Sequence, residues 1–494
     1  MLSAVEKNRR QISKNTEAKK KSQLGQFLTP QRIAVFMASL FSDKGGHCRL
    51  LDAGAGIGSL SAAFLERWDS GNLPFNSVDL VAFEIDPALH PHLWQTFRQY
   101  SFRDNLRVQI RGDDFIHASV GSLTGDLFSH SILQYTHAIL NPPYKKLNSF
   151  SAHRLALRRV GIETVNLYSA FVALALAQMV PGGQIVAIIP RSFCNGPYYR
   201  PFRDFVLERA AIRHIHLFES RSKAFKDDDV LQENIIILLE CGGRQGSVTV
   251  STSSDDTFSD LVQHEHPFER IVLPDDPERF IHVPTSPEQN AIELSPAIRY
   301  TLVDLGIKVS TGPVVDFRLR RHLRNMPEPG TVPLLYPGHF ISQAATWPIE
   351  GMRKPNAILC NAGTEKWLYP TGFYCVVRRF SSKEEKRRIV ASVVDPRTFG
   401  DAPMLGFENH LNVFHDDKRG LPEPLARGLA VFLNTTAVDE YFRRFNGHTQ
   451  VNATDLRLMK YPSRDTLIQL GMWAMRQVAL TQEQIDAKLG ILIK

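Results

Sequence analysis

Cysteine is scarce and unpatterned in this chain. Its 494 residues hold five, Cys48, Cys194, Cys241, Cys360 and Cys375, an odd number with no C-x-x-C pair. That excludes a disulfide scaffold and a structural zinc site, and it fits a reducing cytosol. His and Cys show no ligand spacing, so no metal is expected. Long apolar runs are missing as well. The most apolar stretch, Leu167 to Val180, covers about 14 residues, against the roughly 20 that span a bilayer, so it reads as a buried helix and no membrane partner is expected. The charged start MLSAVEKNRRQISKNTEAKKK is followed by no apolar segment, so it is not a secretory signal, and a cytoplasmic location is expected. Internal repeats and low-complexity tracts are also lacking.

What remains is ample material for a globular protein, with 43% hydrophobic and 22% charged residues. A single core stops growing near roughly 250 to 300 residues, so a chain of this length divides into at least two domains. Charge is distributed unevenly. Residues 1–24 carry 7 basic and 2 acidic side chains, residues 25–300 carry a net −5, and residues 301–494 a net +7. Basic flanks of this kind suit a polyanionic partner, because Lys and Arg that neutralise phosphates gain affinity from counterion release.

From Arg49 to Val250 short apolar runs alternate with longer helical patterns, the mark of βαβ units and a parallel α/β sheet. Seven strands are predicted, at 49–53, 78–84, 106–110, 137–140, 184–190, 212–218 and 234–240. The polar stretch between the last two leaves no room for a substantial crossover helix, so an antiparallel closing hairpin is expected. Prolines 267, 274, 277, 284, 287 and 296 then mark a junction across 251–300. Beyond it, 301–494 is basic and β-leaning, an α+β or β-rich domain.

Candidate site residues cluster at strand ends. After the first strand, Asp52-Ala53-Gly54-Ala55-Gly56-Ile57-Gly58 forms a G-x-G-x-G loop with an acid in front of it. Glycines permit a tight turn and a close ligand, and a carboxylate at the turn suits a cationic amino-acid group better than a pyrophosphate. Glu84 and Ile85 close the second strand, where the acid is placed to accept from both ribose hydroxyls. Asp113, Asp114 and Phe115 follow the third, where an Asp is placed to accept from an exocyclic adenine amine. Three acids at three successive strand ends match S-adenosylmethionine better than NAD. After the fourth strand the chain reads Asn141-Pro142-Pro143-Tyr144. The prolines hold the backbone nearly fixed, so the Asn oxygen and the Pro142 carbonyl become two aimed acceptors that fit one amine. Tyr144 adds an aromatic face for a base and for an approaching sulfonium.

On these motifs, over about residues 23–250, the chain resembles the gamma-group adenine-N6 DNA methyltransferases, the TaqI-like restriction-modification enzymes, and most closely the PstI/BsuBI type. The stretch Gln23 to Pro30 is similar to that family's N-terminal cofactor motif, in which the residue matching Thr29 contacts the methionine carboxylate. Asp52, Gly54 and Gly56 match its glycine loop, Glu84 and Ile85 its ribose and adenine contacts, Asp114 and Phe115 its Asp-Phe pair, and Asn141 to Tyr144 its catalytic motif. Phe225 occupies the position of a second aromatic against the target base. The resemblance implies a seven-stranded Rossmann-like methyltransferase domain at 25–250, a basic N-terminal arm at 1–24, and a DNA-recognition domain at 301–494. It implies methyl transfer from S-adenosylmethionine to a flipped adenine in double-stranded DNA, with a separate restriction endonuclease as genetic partner. Protein-glutamine and RNA-adenine methylation are the alternatives, since both substrates present an amine to the same two acceptors. In the last domain, Gly306 to Gly312 resembles the opening of PstI-type recognition domains, with Arg318, Arg320 and Arg321 soon after. The stretch Tyr441 to Asn452, basic and aromatic, is expected to suit phosphate contact and base readout.

Overall fold

The seven predicted strands all form. They are β1 (Gly46–Ala53), β2 (Phe75–Phe83), β3 (Leu106–Arg111), β4 (Tyr135–Leu140), β5 (Met179–Pro190), β6 (Ala210–Phe218) and β7 (Asn234–Cys241). The computed structural model describes the chain outside residues 16–26, 43–44, 126–133, 220–232, 342, 382–383, 447–448 and 494. Its contacts divide it into two units, Met1–Pro287 and Glu288–Lys494.

In the first unit β8 (Ser247–Ser253) and β9 (Val262–Pro267) extend the sheet to nine strands, in the order β3-β2-β1-β4-β5-β7-β6-β8-β9. The first five pair in parallel, and β7 runs antiparallel to both β5 and β6, as the short polar connection requires. The stretch expected to be a junction from residue 251 therefore begins inside the sheet. Pro267 is tolerated there because it ends an edge strand, where no ladder donor is needed. Alternate strand residues feed two cores: Leu51, Val81 and Ile185 on one face, Leu50, Ile139 and Ile188 on the other. The apolar stretch read as a buried helix is one, Leu167–Ala177, buried from Tyr168 through Leu176.

Residues 1–15 belong to this unit. Helix α1 (Leu2–Asn15) packs on α2 (Gln31–Ser39) and α3 (Ser59–Asp69), burying Val5 and the Arg9 side chain.

The second unit is α+β, with one six-stranded and one five-stranded sheet. Lys308–Thr311, inside the expected opening motif, pairs antiparallel with Leu411–His415. The Tyr441–Asn452 stretch departs from its reading as a nucleic-acid face. Tyr441, Phe442 and Phe445 recur at i, i+1 and i+4 of the helix Thr436–Phe445, one side of it, and are buried. Arg443 is paired with Asp439, Arg444 with Glu293, and Asn446 with Arg388 and Asp455. By contrast Arg318, Arg320 and Arg321 are exposed.

Two glycines set one helix crossing in this unit. The helices Glu423–Leu433 and Arg464–Ala474 meet so closely that a Cβ on Gly428 would stand 1.7 Å from the Leu467 carbonyl oxygen, and one on Gly471 1.7 Å from that of Pro424. Backbone cannot yield as a side-chain tip can, so Gly428→Ala is expected to destabilise by about 3 kcal/mol despite alanine's better helix propensity. A lowered urea midpoint for the full chain checks it; an unchanged or raised midpoint contradicts it.

Candidate active site

The carboxyl ends of β1, β2 and β4 and the segment before α2 surround a cavity of about 200 Å³. Parallel α/β sheets place ligand crevices at this edge. Of the residues singled out in the sequence, Thr29, Gly54, Gly56, Glu84, Ile85, Asp114, Phe115, Asn141 and Pro143 line it. Asp113 lines it too, although its carboxylate is paired with Arg111 at 2.8 Å. Pro30, Asp52, Pro142 and Tyr144 are not in the wall, and Phe225 lies outside the described residues.

The loop after β1 depends on glycine. Gly54, Gly56 and Gly58 all have positive φ, and a Cβ on Gly56 would sit 2.8 Å from Leu28 Cδ2. Gly54 and Ala55 donate their amides to the Phe83 carbonyl at 2.9 and 2.8 Å, which ties the loop to the end of β2. Glu84 completes the tie. Its Oε2 accepts from the Gly56 amide at 2.8 Å and its Oε1 from the Asp86 amide at 2.7 Å. Burial pushes the Glu84 carboxyl above its ordinary range, with those two amides opposing. Asp52 lies beneath the loop, fully buried, its Oδ2 accepting from the Ser61 hydroxyl at 2.5 Å. Burial lifts this carboxyl to about 7, against the Ser61 hydrogen bonds.

Asp114 caps the helix α4 (Phe115–Thr124), its Oδ1 accepting from the His117 amide at 3.0 Å, and its Oδ2 is 2.9 Å from His153 Nε2. It is an N-cap and part of the cavity wall at once. Phe115 stands 5.1 Å from the ring of Phe83 and 4.9 Å from that of Phe171, an apolar side to the cavity.

Asn141 is held from two directions. Its Nδ2 donates to the Phe27 carbonyl and to Thr29 Oγ1, both at 2.9 Å, while the Tyr144 hydroxyl donates to its Oδ1 at 3.1 Å. The amide nitrogen is committed to protein acceptors, and the oxygen has a second lone pair for a further donor. The Tyr144 hydroxyl is also 3.2 Å from the Ile188 carbonyl, and burial drives its pKa far above the ordinary tyrosine value, so it stays protonated.

A family model, the Eco57I restriction-modification methylase, matches residues 87–225. The type II methyltransferase M.BsuBI of Bacillus subtilis is 54% identical over 497 aligned residues, covering 100% of this chain and 98% of that one. The chain belongs to the type II methyltransferases of restriction-modification systems. The type II methyltransferase M.PstI of Providencia stuartii is 43% identical over 90% of this chain and 88% of its own, so the PstI/BsuBI-type resemblance extends far beyond the motifs that carried it. Among solved structures, a cryo-EM DrdV–DNA complex aligns with 92% of this chain and 57% of its own at 12% identity and a TM-score of 0.49.

Other side chains of this type II methyltransferase line the cavity without having been singled out for it. Lys145 directly follows the Asn-Pro-Pro-Tyr motif and was open to a sequence reading. Phe171 stands in the apolar helix and carries only a core signal, and His153 carries none. Asp114, His117 and His153 bring one ligand atom each within 4.8 Å of one another, the one such group among the described residues. Asp114 serves the helix cap and the His153 contact there. Among the described residues no helix is long and apolar enough to cross a membrane.

Proposed function

We propose that this methyltransferase is a site-specific DNA enzyme that moves the methyl group of S-adenosylmethionine to the exocyclic N6 of an adenine flipped out of double-stranded DNA. It serves as the modification component of a type II system in the cytoplasm, with a separately encoded restriction endonuclease as its genetic partner. The observation that carries this reading is the Asn141 amide, oriented by Phe27 and Thr29 and lining the same cavity as Glu84 and Asp114.

The cavity suits the cofactor on its own chemistry. Left-handed glycines leave room for an amino-acid tail over Asp52, Glu84 is an acceptor for a ribose diol, and Asp114 beside the Phe83, Phe115 and Phe171 rings suits an adenine with an amine at its edge. When bound, S-adenosylmethionine supplies an electrophilic methyl carbon on a sulfonium. The protein's part is to make the target amine a nucleophile. Asn141 Oδ1 and the Pro142 carbonyl each accept one N6 hydrogen, which favours the pyramidal amine whose lone pair is localised rather than shared with the ring. Tyr144 stacks on the base, with Phe225 as the second aromatic that the family resemblance implies, and offsets a flipping cost of a few kcal/mol. Held by the glycine loop, Glu84 and Asp114, S-adenosylmethionine would supply the methyl group to the N6 lone pair, with the carbon–sulfur electron pair staying on sulfur, and the methylated nitrogen would release its proton to water. Residues 301–494 select the target, with the exposed Arg318, Arg320 and Arg321 as phosphate contacts.

Transfer of radiolabelled methyl to duplex DNA, RNA and a release-factor protein in parallel tests the reading. The expected outcome is label in duplex DNA alone, recovered after digestion as N6-methyladenine. Label in the RNA or on a protein glutamine would replace this reading with one of its alternatives.

A further inference from the structure

The charged N-terminal arm has no motif that defines its work, yet through one carboxylate α1 reaches Gln31, which directly follows the segment that lines the cavity. Helix α2 begins at Gln31, directly after Pro30 at its cap position, and Pro30 offers no side-chain acceptor. The amides of a helix's first turn have no partner within the helix. Glu6, 25 residues earlier, supplies one: its Oε2 accepts from the Gln31 amide at 3.1 Å. Glu6 is itself clamped. Arg9 Nε and a terminal Arg9 nitrogen donate to its two oxygens at 2.9 Å each, and Arg10 Nε donates at 2.8 Å. The Arg9 side chain is only 1% exposed, a deep burial for a guanidinium on a terminal helix. Although burial works against it, the two arginines and the Gln31 amide hold the Glu6 carboxyl below its ordinary range.

What Glu6 grips is the end of the segment that grips Asn141. Thr29 and Phe27, two and four residues before Gln31, are the two acceptors of the Asn141 amide, and Leu28 between them covers Gly56. We infer that α1 is a brace for the cofactor wall, with Glu6 as a positioning residue that fixes Phe27–Pro30 between the glycine loop and Asn141. The consequence for function is cofactor affinity, because Phe27, Leu28 and Thr29 all line the cavity. This inference rests on the reading that the cavity takes S-adenosylmethionine.

Gln31→Pro separates a brace from ordinary helix support. Proline is favoured at the first helical position, and Pro30, at φ −59° and ψ 145°, already has the conformation that a following proline requires. The substitution therefore keeps α2 while removing the donor and displacing the Glu6 carboxylate. In the full chain, calorimetric titration with S-adenosylmethionine is expected to give a Kd about tenfold weaker for Gln31→Pro and for Glu6→Ala, the scale of one charge-assisted hydrogen bond. At saturating cofactor, kcat should stay within about twofold, and the melting temperature of Gln31→Pro should fall by only a few degrees, since the fixed φ of proline offsets part of the lost Glu6 hydrogen bond. A Gln31→Pro Kd equal to that of the wild type overturns the brace, even if Glu6→Ala fails to fold; so does a loss of kcat with Kd intact. A wild-type protein that binds no S-adenosylmethionine overturns the cofactor reading, and the inference with it.

Discussion

Asn141→Ala is expected to slow methyl transfer to duplex DNA by about 10³-fold under single-turnover conditions, the scale seen when a preorganised polar group aimed at the reacting centre is removed. The reason lies in how the side chain is held. Its nitrogen is occupied by Phe27 and Thr29, so the oxygen is the atom left to receive the target amine, and alanine deletes that acceptor along with both donors to the Phe27–Thr29 segment. Two effects should therefore separate. The rate at saturating cofactor falls steeply, whereas the Kd for S-adenosylmethionine rises only severalfold, because the cavity keeps its glycine loop and acids. Tyr144→Phe probes the same amide from the other side. It keeps the ring and removes the hydroxyl donated to Asn141 Oδ1, so a loss of about tenfold is expected, the size of one hydrogen bond. The phenol is not a base in this scheme, since burial holds it protonated, and no new ionisation should enter the pH profile with the substitution. An Asn141→Ala enzyme that transferred methyl groups at the wild-type rate would remove the basis of the proposed mechanism.

The strand ends were legible in the sequence because parallel strands buried on both faces read as short apolar runs, and the turn residues after each run stand out against them. That is why the sequence alone puts Gly54, Gly56, Glu84, Asp114 and Asn141 at strand ends along one edge. Periodicity is silent on what lies behind a wall. Asp52 reads like Glu84, a strand-end acid, but it sits under the loop against Ser61, because its neighbours on β1 and β2 enclose it. Composition misled at two points. Prolines marked a domain junction from residue 251, yet β8 runs to Ser253 and β9 to Pro267, the first of those prolines. The aromatics of Tyr441–Phe445 read as a binding face, when three on one side of a helix are what a core requires. The tie from Glu6 to Gln31 joins residues 25 apart in sequence through a backbone amide, so no side-chain pattern records it.

Replacing Arg318, Arg320 and Arg321 together by alanine is expected to weaken duplex binding about 10²-fold near physiological salt and to lower the slope of log K against log salt by about three. The stretch 317–327 carries four arginines and no acid. Within it Arg324 is paired with Glu328, whereas no carboxylate partner is recorded for the other three among the described residues. Beside them Phe317 is 60% exposed, its ring 5.5 Å from the Arg318 guanidinium. An exposed aromatic among arginines is costly to leave in water and suited to a groove, where the cations meet phosphates and the ring meets sugar or base. The chain offers its own comparison in Arg443 and Arg444, equally basic in sequence but committed to Asp439 and Glu293. Substituting those two should reduce stability and leave the salt slope of the remaining folded protein unchanged. Titrating labelled duplex across a range of salt concentrations distinguishes the two clusters. If the triple variant bound DNA with wild-type affinity and slope, the phosphate contacts would have to lie elsewhere in 301–494. Its maximal methylation rate at saturating duplex should remain close to wild type, since none of the three lines the cavity proposed for methyl transfer.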